Sequence, residues 1–266
     1  MRAIVPSGAP MLAATATVTK FVRDDIIDKL EMKGCEVVSV SPNWSNIYNE
    51  VRPRTEIEQD MHPILENLRC NKKLADRVVV YCRSYNMCAE LYQHFLCTLG
   101  DDSYYPPGAE QISDNWLFGM FHAGTPDHNK EVILSSMREA NGVVRVVFAT
   151  VALGMGLNFV GLNNIVHYGA PSSIEDYFQE SGRAGRSGDQ AKSVIFWKPR
   201  DAPMKQDLSN PRNAEVAAVR RYLDNNKDCR RCQLLGYFDP SLPSQLSARD
   251  RLLCCDVCAS TVTSTD

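Results

Sequence analysis

The segment VVRVVFATVALGMGLN, at residues 143–158, joins a run of β-branched apolar residues to a loop of small residues. Short runs that are apolar on both faces are typical of buried strands in parallel sheets. A small-residue loop at the carboxyl end of such a strand is where α/β sheets bind ligands, because its backbone amides are free. The segment therefore predicts a strand at residues 143–149 and a binding loop directly after it. A tight strand-to-helix turn is the alternative for the loop.

On both sides of this segment, short apolar runs alternate with amphipathic stretches. Further strands are predicted at residues 78–82, 116–121, 164–168 and 193–197. Helices are predicted at residues 86–99, 127–140 and 173–182. This alternation predicts an α/β fold in which a parallel sheet has helices on both faces. Residues 100–115, rich in Asp and Pro, are expected to form a long surface loop.

The first part of the chain offers too little structure for a sheet of its own. Residues 10–14 are predicted to form a strand and residues 17–33 a helix, which Gly34 ends. The residues expected to face inward from this helix are Phe21, Val22, Ile26, Ile27 and Leu30. Because a lone strand and helix cannot bury their faces, this piece either packs on the main domain or belongs to a domain whose beginning is missing.

Beyond residue 199 the pattern becomes helical. Residues 214–223 and 229–238 are predicted to form a helical hairpin, with Asp228 as the N-cap of the second helix. Residues 41–53, with two prolines and a tryptophan, are expected to be a connector. The predicted divisions are therefore residues 1–35, a connector at 36–52, an α/β domain at 53–200 and a helical subdomain at 201–262.

Composition excludes several classes of protein. With 44% hydrophobic and 23% charged residues, the chain resembles an ordinary globular protein. Its apolar runs are shorter than the roughly 18 residues of a membrane span, and its first residues lack the apolar run of a secretion signal, so we expect an intracellular protein. The net charge of −3 means that nucleic-acid binding requires a local patch. Residues 198–232 carry a surplus of basic side chains, which form either that patch or a solvated helical face.

Five of the ten cysteines are concentrated near the end of the chain, where Cys229-x-x-Cys232 and Cys255-x-x-Cys258 form two pairs. In a reducing compartment, such pairs indicate a tetrahedral zinc site rather than disulfides. The five earlier cysteines, including Cys82 in a strand and Cys88 in a helix, are expected to be small core residues. No histidine shows ligand spacing.

A second chemically informative run is QESGRAGR at residues 179–186, after the predicted helix at 173–182. If helical spacing continues, Gln179, Arg183 and Arg186 point the same way. Two planar guanidinium groups, flanked by glycines that permit close approach, suit a polyphosphate. The alternative is a solvated helix end with two surface arginines.

These segments together resemble the second motor domain of a RecQ-type superfamily 2 DNA helicase, which implies a RecA-like sheet. Residues 11–17 (MLAATAT) resemble helicase motif III, the last motif of the first motor domain, and residues 80–84 (VYCRS) resemble motif IV. The binding loop at 149–158 resembles motif V, and QESGRAGR matches motif VI in its RecQ form. The His-Ala-Gly at residues 122–124 also fits the family pattern.

The resemblance implies roles for individual residues. Arg186 would be the arginine finger on ATP, Arg183 its companion on the phosphates, and Gln179 part of the coupling between motor domains. The hydroxyl groups of Ser84 and Thr150 would touch the DNA backbone. The motif V residues assigned to the nucleotide are Gly154, Gly156 and Asn158. At the last of these the family has Asp, so the charge expected beside the nucleotide is absent.

The zinc pattern of the family matches this chain in part. The resemblance implies Cys229, Cys255 and Cys258 as zinc ligands and leaves the fourth ligand open. It also makes Arg230 and Arg231 candidate DNA contacts. Cys232 is preferred over Cys254 because it follows the first ligand by one helical turn, whereas Cys254 is crowded by its ligating neighbour.

The function implied is the C-terminal part of an ATP-dependent 3′ to 5′ DNA helicase that acts in recombination, repair and replication, in the nucleus if the source is eukaryotic. The chain contains neither the Gly-Lys of a phosphate-binding loop nor an Asp-Glu pair for magnesium. ATP and Mg²⁺ are therefore expected only with a first motor domain, DNA junctions are the expected partner, and the isolated chain should not hydrolyse ATP. A non-catalytic, zinc-stabilised DNA-binding module is the second hypothesis, and a scaffold that binds no nucleic acid is the third.

Overall fold

The computed structural model describes residues 10–15, 19–32, 34–38, 43–150, 153, 158–203, 209–239 and 252–263. The strands are β1 (Ile47–Pro53), β2 (Arg77–Cys82), β3 (Phe118–Phe121), β4 (Val146–Ala149), β5 (Leu162–Tyr168) and β6 (Ala191–Trp197). The helices are α1 (Lys20–Lys29), α2 (Ile57–Asn71), α3 (Tyr85–Leu99), α4 (Asp127–Arg138), α5 (Ile174–Ser181), α6 (Pro211–Asp224), α7 (Arg230–Phe238) and α8 (Asp256–Thr263).

The six strands form one parallel sheet in the order β1-β6-β5-β2-β4-β3. Along β2 the side chains alternate between two apolar cores: Val78 and Val80 pack with α2 and α3, whereas Val79 and Tyr81 pack on the other face with α4. Burial on both faces explains why the strands are continuous apolar runs. The predicted α/β fold, a parallel sheet with helices on both faces, is confirmed.

Two elements at the start of this domain were not predicted. Strand β1 lies within the predicted connector and pairs with β6 at the edge of the sheet, where its terminal Pro53 costs no interior hydrogen bond. Helix α2 contains Pro63, which interrupts the helical pattern, although its buried Met61 and Leu65 keep helical spacing. The domain boundary predicted at residue 53 therefore falls at the end of a strand.

The N-terminal piece is simpler than predicted. Residues 10–15 contain no strand, and within the described part of the chain they pair with no other strand, so they lack the ladder that a strand requires. Helix α1 begins after Thr19, whose hydroxyl accepts from the Val22 N–H at 3.3 Å. Of the residues expected to face inward, Val22 is exposed and Ile26, Ile27 and Leu30 are half-buried; the side chain of Phe21 lies outside the described residues.

Helices α6 and α7 form the predicted hairpin and pack on α5. Their shared apolar core includes Tyr177 and Phe178 of α5 with Val219, Tyr222 and Phe238 of the hairpin. The N-cap of α7 is Cys229, one residue after the predicted Asp228. No helix in the described ranges is long and apolar enough to cross a membrane.

Candidate functional site

Motif VI (residues 179–186) begins on α5 and leaves it in a tight turn. Ser173 starts the helix, since its Oγ accepts from the Asp176 N–H at 3.0 Å. After Ser181 the N–H groups of Arg183 and Ala184 bond only three residues back, at 3.3 and 3.1 Å. The helical spacing on which the shared direction of Gln179, Arg183 and Arg186 depends therefore does not continue, because both arginines follow the helix.

A glycine and an asparagine determine the shape of this turn. Gly185 has a φ of +63°, and a Cβ there would lie 2.5 Å from Asn46 Nδ2 and 2.8 Å from the Ala191 Cβ, so only glycine fits without displacement. Asn46 Nδ2 donates to the carbonyl oxygens of Gly185 and Asp189 at 2.8 and 2.7 Å. A side chain from just before β1 thus holds the motif VI turn.

The two arginines of motif VI differ in exposure. Arg183 is 7% exposed, whereas Arg186 is exposed and its Nε donates to the Gly182 carbonyl at 3.4 Å. Partial burial, and then the positive charge of Arg183, lower the pKa of the Arg186 guanidinium. Neighbouring guanidinium groups favour a bound polyanion, because it relieves their repulsion. Gln179 is half-buried on α5.

Sequence reasoning missed a buried polar cluster behind motif VI. His167 Nε2 lies 2.8 Å from the Glu180 carboxylate, and the imidazole stacks on the Tyr81 ring with centroids 5.3 Å apart. Burial raises the pKa of the Tyr81 hydroxyl, although the positive charge of Arg183 partly counteracts this rise. The available signal was a histidine within an apolar strand next to motif VI.

The motif V glycines assigned to the nucleotide, Gly154 and Gly156, lie outside the described residues. Asn158 is described and exposed. The carboxyl ends of β2 and β4 bring the motif IV and motif V hydroxyl groups to one edge of the sheet, where Ser84 is exposed and Thr150 half-buried. The Ser84 Oγ also caps α3, accepting from the Met87 N–H at 3.2 Å.

An aromatic pair beside Ser84 was also missed. Tyr85 is 53% exposed, and its ring centroid lies 4.9 Å from that of His122. His122 Nδ1 accepts from the Gly124 N–H at 3.1 Å, so the neutral imidazole carries its proton on Nε2. This edge of the sheet thus presents hydroxyl groups, an N–H donor and an exposed ring, which are groups that bind nucleic acid.

Four cysteines come together at the other end of the chain. The Sγ atoms of Cys229, Cys254, Cys255 and Cys258 lie within 4.8 Å of one another, and a tetrahedral site with Zn–S bonds of about 2.3 Å needs sulfur atoms about 3.8 Å apart. Hydrogen bonds from the Cys254 and Cys255 thiols lower the pKa of Cys229, which favours the thiolate that binds metal. The donor set fits structural Zn²⁺.

The group contains Cys254 in place of Cys232, so the preferred fourth ligand is corrected. Cys229 has φ −55° and ψ 121°, before α7 begins, and the argument from one helical turn therefore fails. Cys254 and Cys255 lie in a turn before α8, where both sulfur atoms face the group.

Arg230 and Arg231, expected to contact DNA, are both 4% exposed. Arg230 pairs with Asp256 at 2.5 Å and donates to the Tyr222 carbonyl at 2.9 Å. Arg231 donates to the carbonyl oxygens of Ser45 and Ile47, both at 3.0 Å. The prediction is wrong because backbone carbonyls and a carboxylate occupy these guanidinium groups inside the protein.

The five cysteines that precede the cysteine-rich region differ in burial. Cys82 and Cys88 are buried core residues, as predicted. Cys70 and Cys97 are exposed on α2 and α3, contrary to the prediction, and Cys35 is half-buried.

The fold and these loops have counterparts among known proteins. The helicase conserved C-terminal domain family matches residues 60–188. In a solved structure, Saccharomyces cerevisiae Dbp5 bound to RNA and ADP BeF3 superposes with a TM-score of 0.53 and 14% identity, over 84% of this chain and 51% of that one. This likeness extends to the fold alone, and the class of the main domain is a RecA-like helicase C-terminal domain.

The family follows from the second domain and from sequence relatives. The RecQ zinc-binding family matches residues 198–259. The ATP-dependent DNA helicase hus2/rqh1 of Schizosaccharomyces pombe is 27% identical over 96% of this chain and 18% of its own length. The ATP-dependent helicase wrn-1 of Caenorhabditis elegans is 30% identical over 94% of this chain and 23% of its own. The chain belongs to the RecQ-type superfamily 2 helicases and corresponds to their C-terminal region, about a fifth of these relatives' length.

Proposed function

We propose that this chain supplies the second motor lobe and zinc-binding domain of an ATP-dependent 3′ to 5′ DNA helicase. The observation that carries the proposal is the pair of guanidinium groups in the motif VI turn, one held inside the protein and one presented outward. Arg186 would reach the phosphates of ATP held by a first motor domain, and Arg183 would steady it there. ATP and Mg²⁺ belong to that shared site, to which Gly154, Gly156, Asn158 and Gln179 also contribute.

DNA would lie across the carboxyl edge of β2 and β4. Ser84 and Thr150 would donate to backbone phosphates there, while the exposed Tyr85 ring and the His122 N–H would meet a base or sugar. We further propose action at junctions between single and double strands during recombination, repair and replication, in the nucleus if the source is eukaryotic. The four clustered cysteines would hold structural Zn²⁺, whose binding energy is folding free energy.

The test compares the native polypeptide that contains this chain, purified from its own cells, with its Arg186→Ala variant. The helicase proposal expects unwinding of a duplex with a 3′ tail and not a 5′ tail, DNA-stimulated ATP hydrolysis, and loss of both in the variant. Salt-dependent DNA binding without ATP hydrolysis, equal in both proteins, would instead favour a zinc-stabilised DNA-binding module. Absence of DNA binding would leave only a scaffold.

A further inference from the structure

The segment at residues 44–49, which we call the brace, contacts motif VI on one side. Beyond the bonds from Asn46 to the motif VI turn, Tyr177 on α5 donates its hydroxyl to Asn49 Oδ1 at 2.9 Å. The Trp44 indole nitrogen lies 3.0 Å from where a Cβ on Gly182 would be. The brace therefore touches motif VI at its helix, its first glycine and its turn.

On its other side the brace contacts the zinc-binding domain. The Arg231 guanidinium, which follows the ligand Cys229 by two residues, donates to the carbonyls of Ser45 and Ile47. The Asn49 N–H donates to the Cys254 carbonyl at 3.1 Å, and Asn49 forms a parallel bridge with Cys255. Cysteines of the metal cluster thus extend the sheet edge next to β1.

One residue joins the two sides. Asn49 uses its backbone N–H toward the cysteine cluster and its side-chain oxygen toward α5. Asn49 is 5% exposed and Tyr177 fully buried, so water cannot replace these hydrogen bonds without opening the structure. Asn49 therefore forms one continuous hydrogen-bonded link between the cluster and α5.

We infer that the brace positions the motif VI arginines, and that metal binding at the cysteine cluster orders motif VI through it. The brace residues act by holding the turn that carries Arg183 and Arg186. The inference rests on the proposed function only for the role given to those arginines, because local order of the turn can be measured without ATP or DNA.

The first arm of the test is amide hydrogen exchange on the zinc-loaded 266-residue chain. Asn46→Ala removes the two bonds to the turn and should raise exchange in residues 182–190 by about 10-fold or more, with zinc content unchanged. Asn115→Ala is the matched control, because Asn115 Nδ2 makes an equivalent bond to the Glu110 carbonyl, at 2.9 Å, in a distant loop. An equal rise in residues 182–190 for the control would overturn the inference.

The second arm removes the metal with a chelator. Metal removal should raise exchange in residues 44–49 and 182–190 but not in the core strand at 77–82. In the double variant Asn46→Ala/Tyr177→Phe, metal removal should cause no further rise at 182–190. Unchanged exchange at 182–190 after metal loss refutes the coupling. A uniform rise in every segment refutes it as well, since the metal would then stabilise the fold as a whole.

The third arm assays the native polypeptide. Asn46→Ala should lower kcat for ATP hydrolysis more than it changes the KM for ATP, because the arginines act on the transition state. If the wild-type polypeptide hydrolyses no ATP, the proposed function fails while the exchange arms still decide the inference.

Discussion

Motif VI and the cysteine-rich region each contribute two closely spaced arginines, and the two pairs have different environments. In motif VI, Arg186 is exposed and Arg183 is held beneath it. Between the first two cysteines, Arg230 and Arg231 are both buried on partners of the same chain. The first pair therefore has one guanidinium group at the surface, where a ligand can reach it, whereas both groups of the second are buried on acceptors of the same chain.

The difference teaches that local sequence does not distinguish a binding arginine from a structural one. Both pairs follow or begin a helix, and both lie beside residues of a recognised motif. The second pair is buried on acceptors that the fold brings from elsewhere: Asp256 for Arg230, and the brace carbonyls for Arg231. Such acceptors are distant in sequence, so spacing alone could not reveal them.

The largest expected effect is on the exposed arginine. In the native polypeptide, Arg186→Ala should lower kcat for ATP hydrolysis by about 10³-fold or more, the usual contribution of an arginine finger. Arg186→Lys retains a charge but loses the planar fork and should remain strongly impaired. Steady-state hydrolysis at saturating DNA checks both variants, and activity within a few-fold of wild type would break the comparison.

The buried pair should respond in stability instead. Arg230→Ala leaves the partly buried Asp256 carboxylate without its partner, so the free energy of unfolding should fall by about 3 kcal/mol. Urea denaturation of the chain measures this, with Arg186→Ala expected to stay within about 0.5 kcal/mol of wild type. The double variant Arg230→Met/Asp256→Leu should recover part of the loss. If Arg230→Ala lowered the free energy of unfolding only slightly but abolished DNA binding, Arg230 would be a DNA contact, as the sequence predicted.

A smaller effect separates the two candidate zinc ligands. Cys254→Ser removes a ligand, so it should weaken zinc binding by more than the roughly 100-fold that follows loss of a residue bonded to a ligand. Cys232→Ser should keep one zinc per chain. Metal analysis after competition with a chelator distinguishes them. Retained zinc in Cys254→Ser with loss in Cys232→Ser would reverse the ligand assignment.

Most of the sheet was predictable because β2 to β6 are buried on both faces and so appear as apolar runs. Strand β1 was not, since it mixes apolar Ile47 and Val51 with polar Asn49 and Glu50 and ends at Pro53. The predicted strand at 10–14 failed because in the described part of the chain these residues have no partner strand to pair with.

The candidate sites were predictable as motifs and not as geometry. QESGRAGR and the paired cysteines located both sites. The placement of the arginines and of the zinc ligands, however, depends on where the neighbouring helix ends or begins. The motif VI helix ends at Ser181, before both arginines, and Cys229 precedes the helix on which it was placed. Each outcome depends on long-range contacts, from Asn46 in one case and from the turn at Cys254 in the other.

With Arg230 and Arg231 buried, contacts to DNA must come from outward-facing residues, and Tyr85 tests this with the smallest expected effect. Tyr85→Ala should weaken binding of a single-stranded oligonucleotide to the native polypeptide by about 5- to 10-fold, the lower range for one stacked base. Tyr85→Phe keeps the ring and should bind as wild type. Fluorescence anisotropy across a salt series should also show an unchanged salt slope, because no charge is removed. Equal affinity in all three proteins would place the DNA away from the carboxyl end of β2.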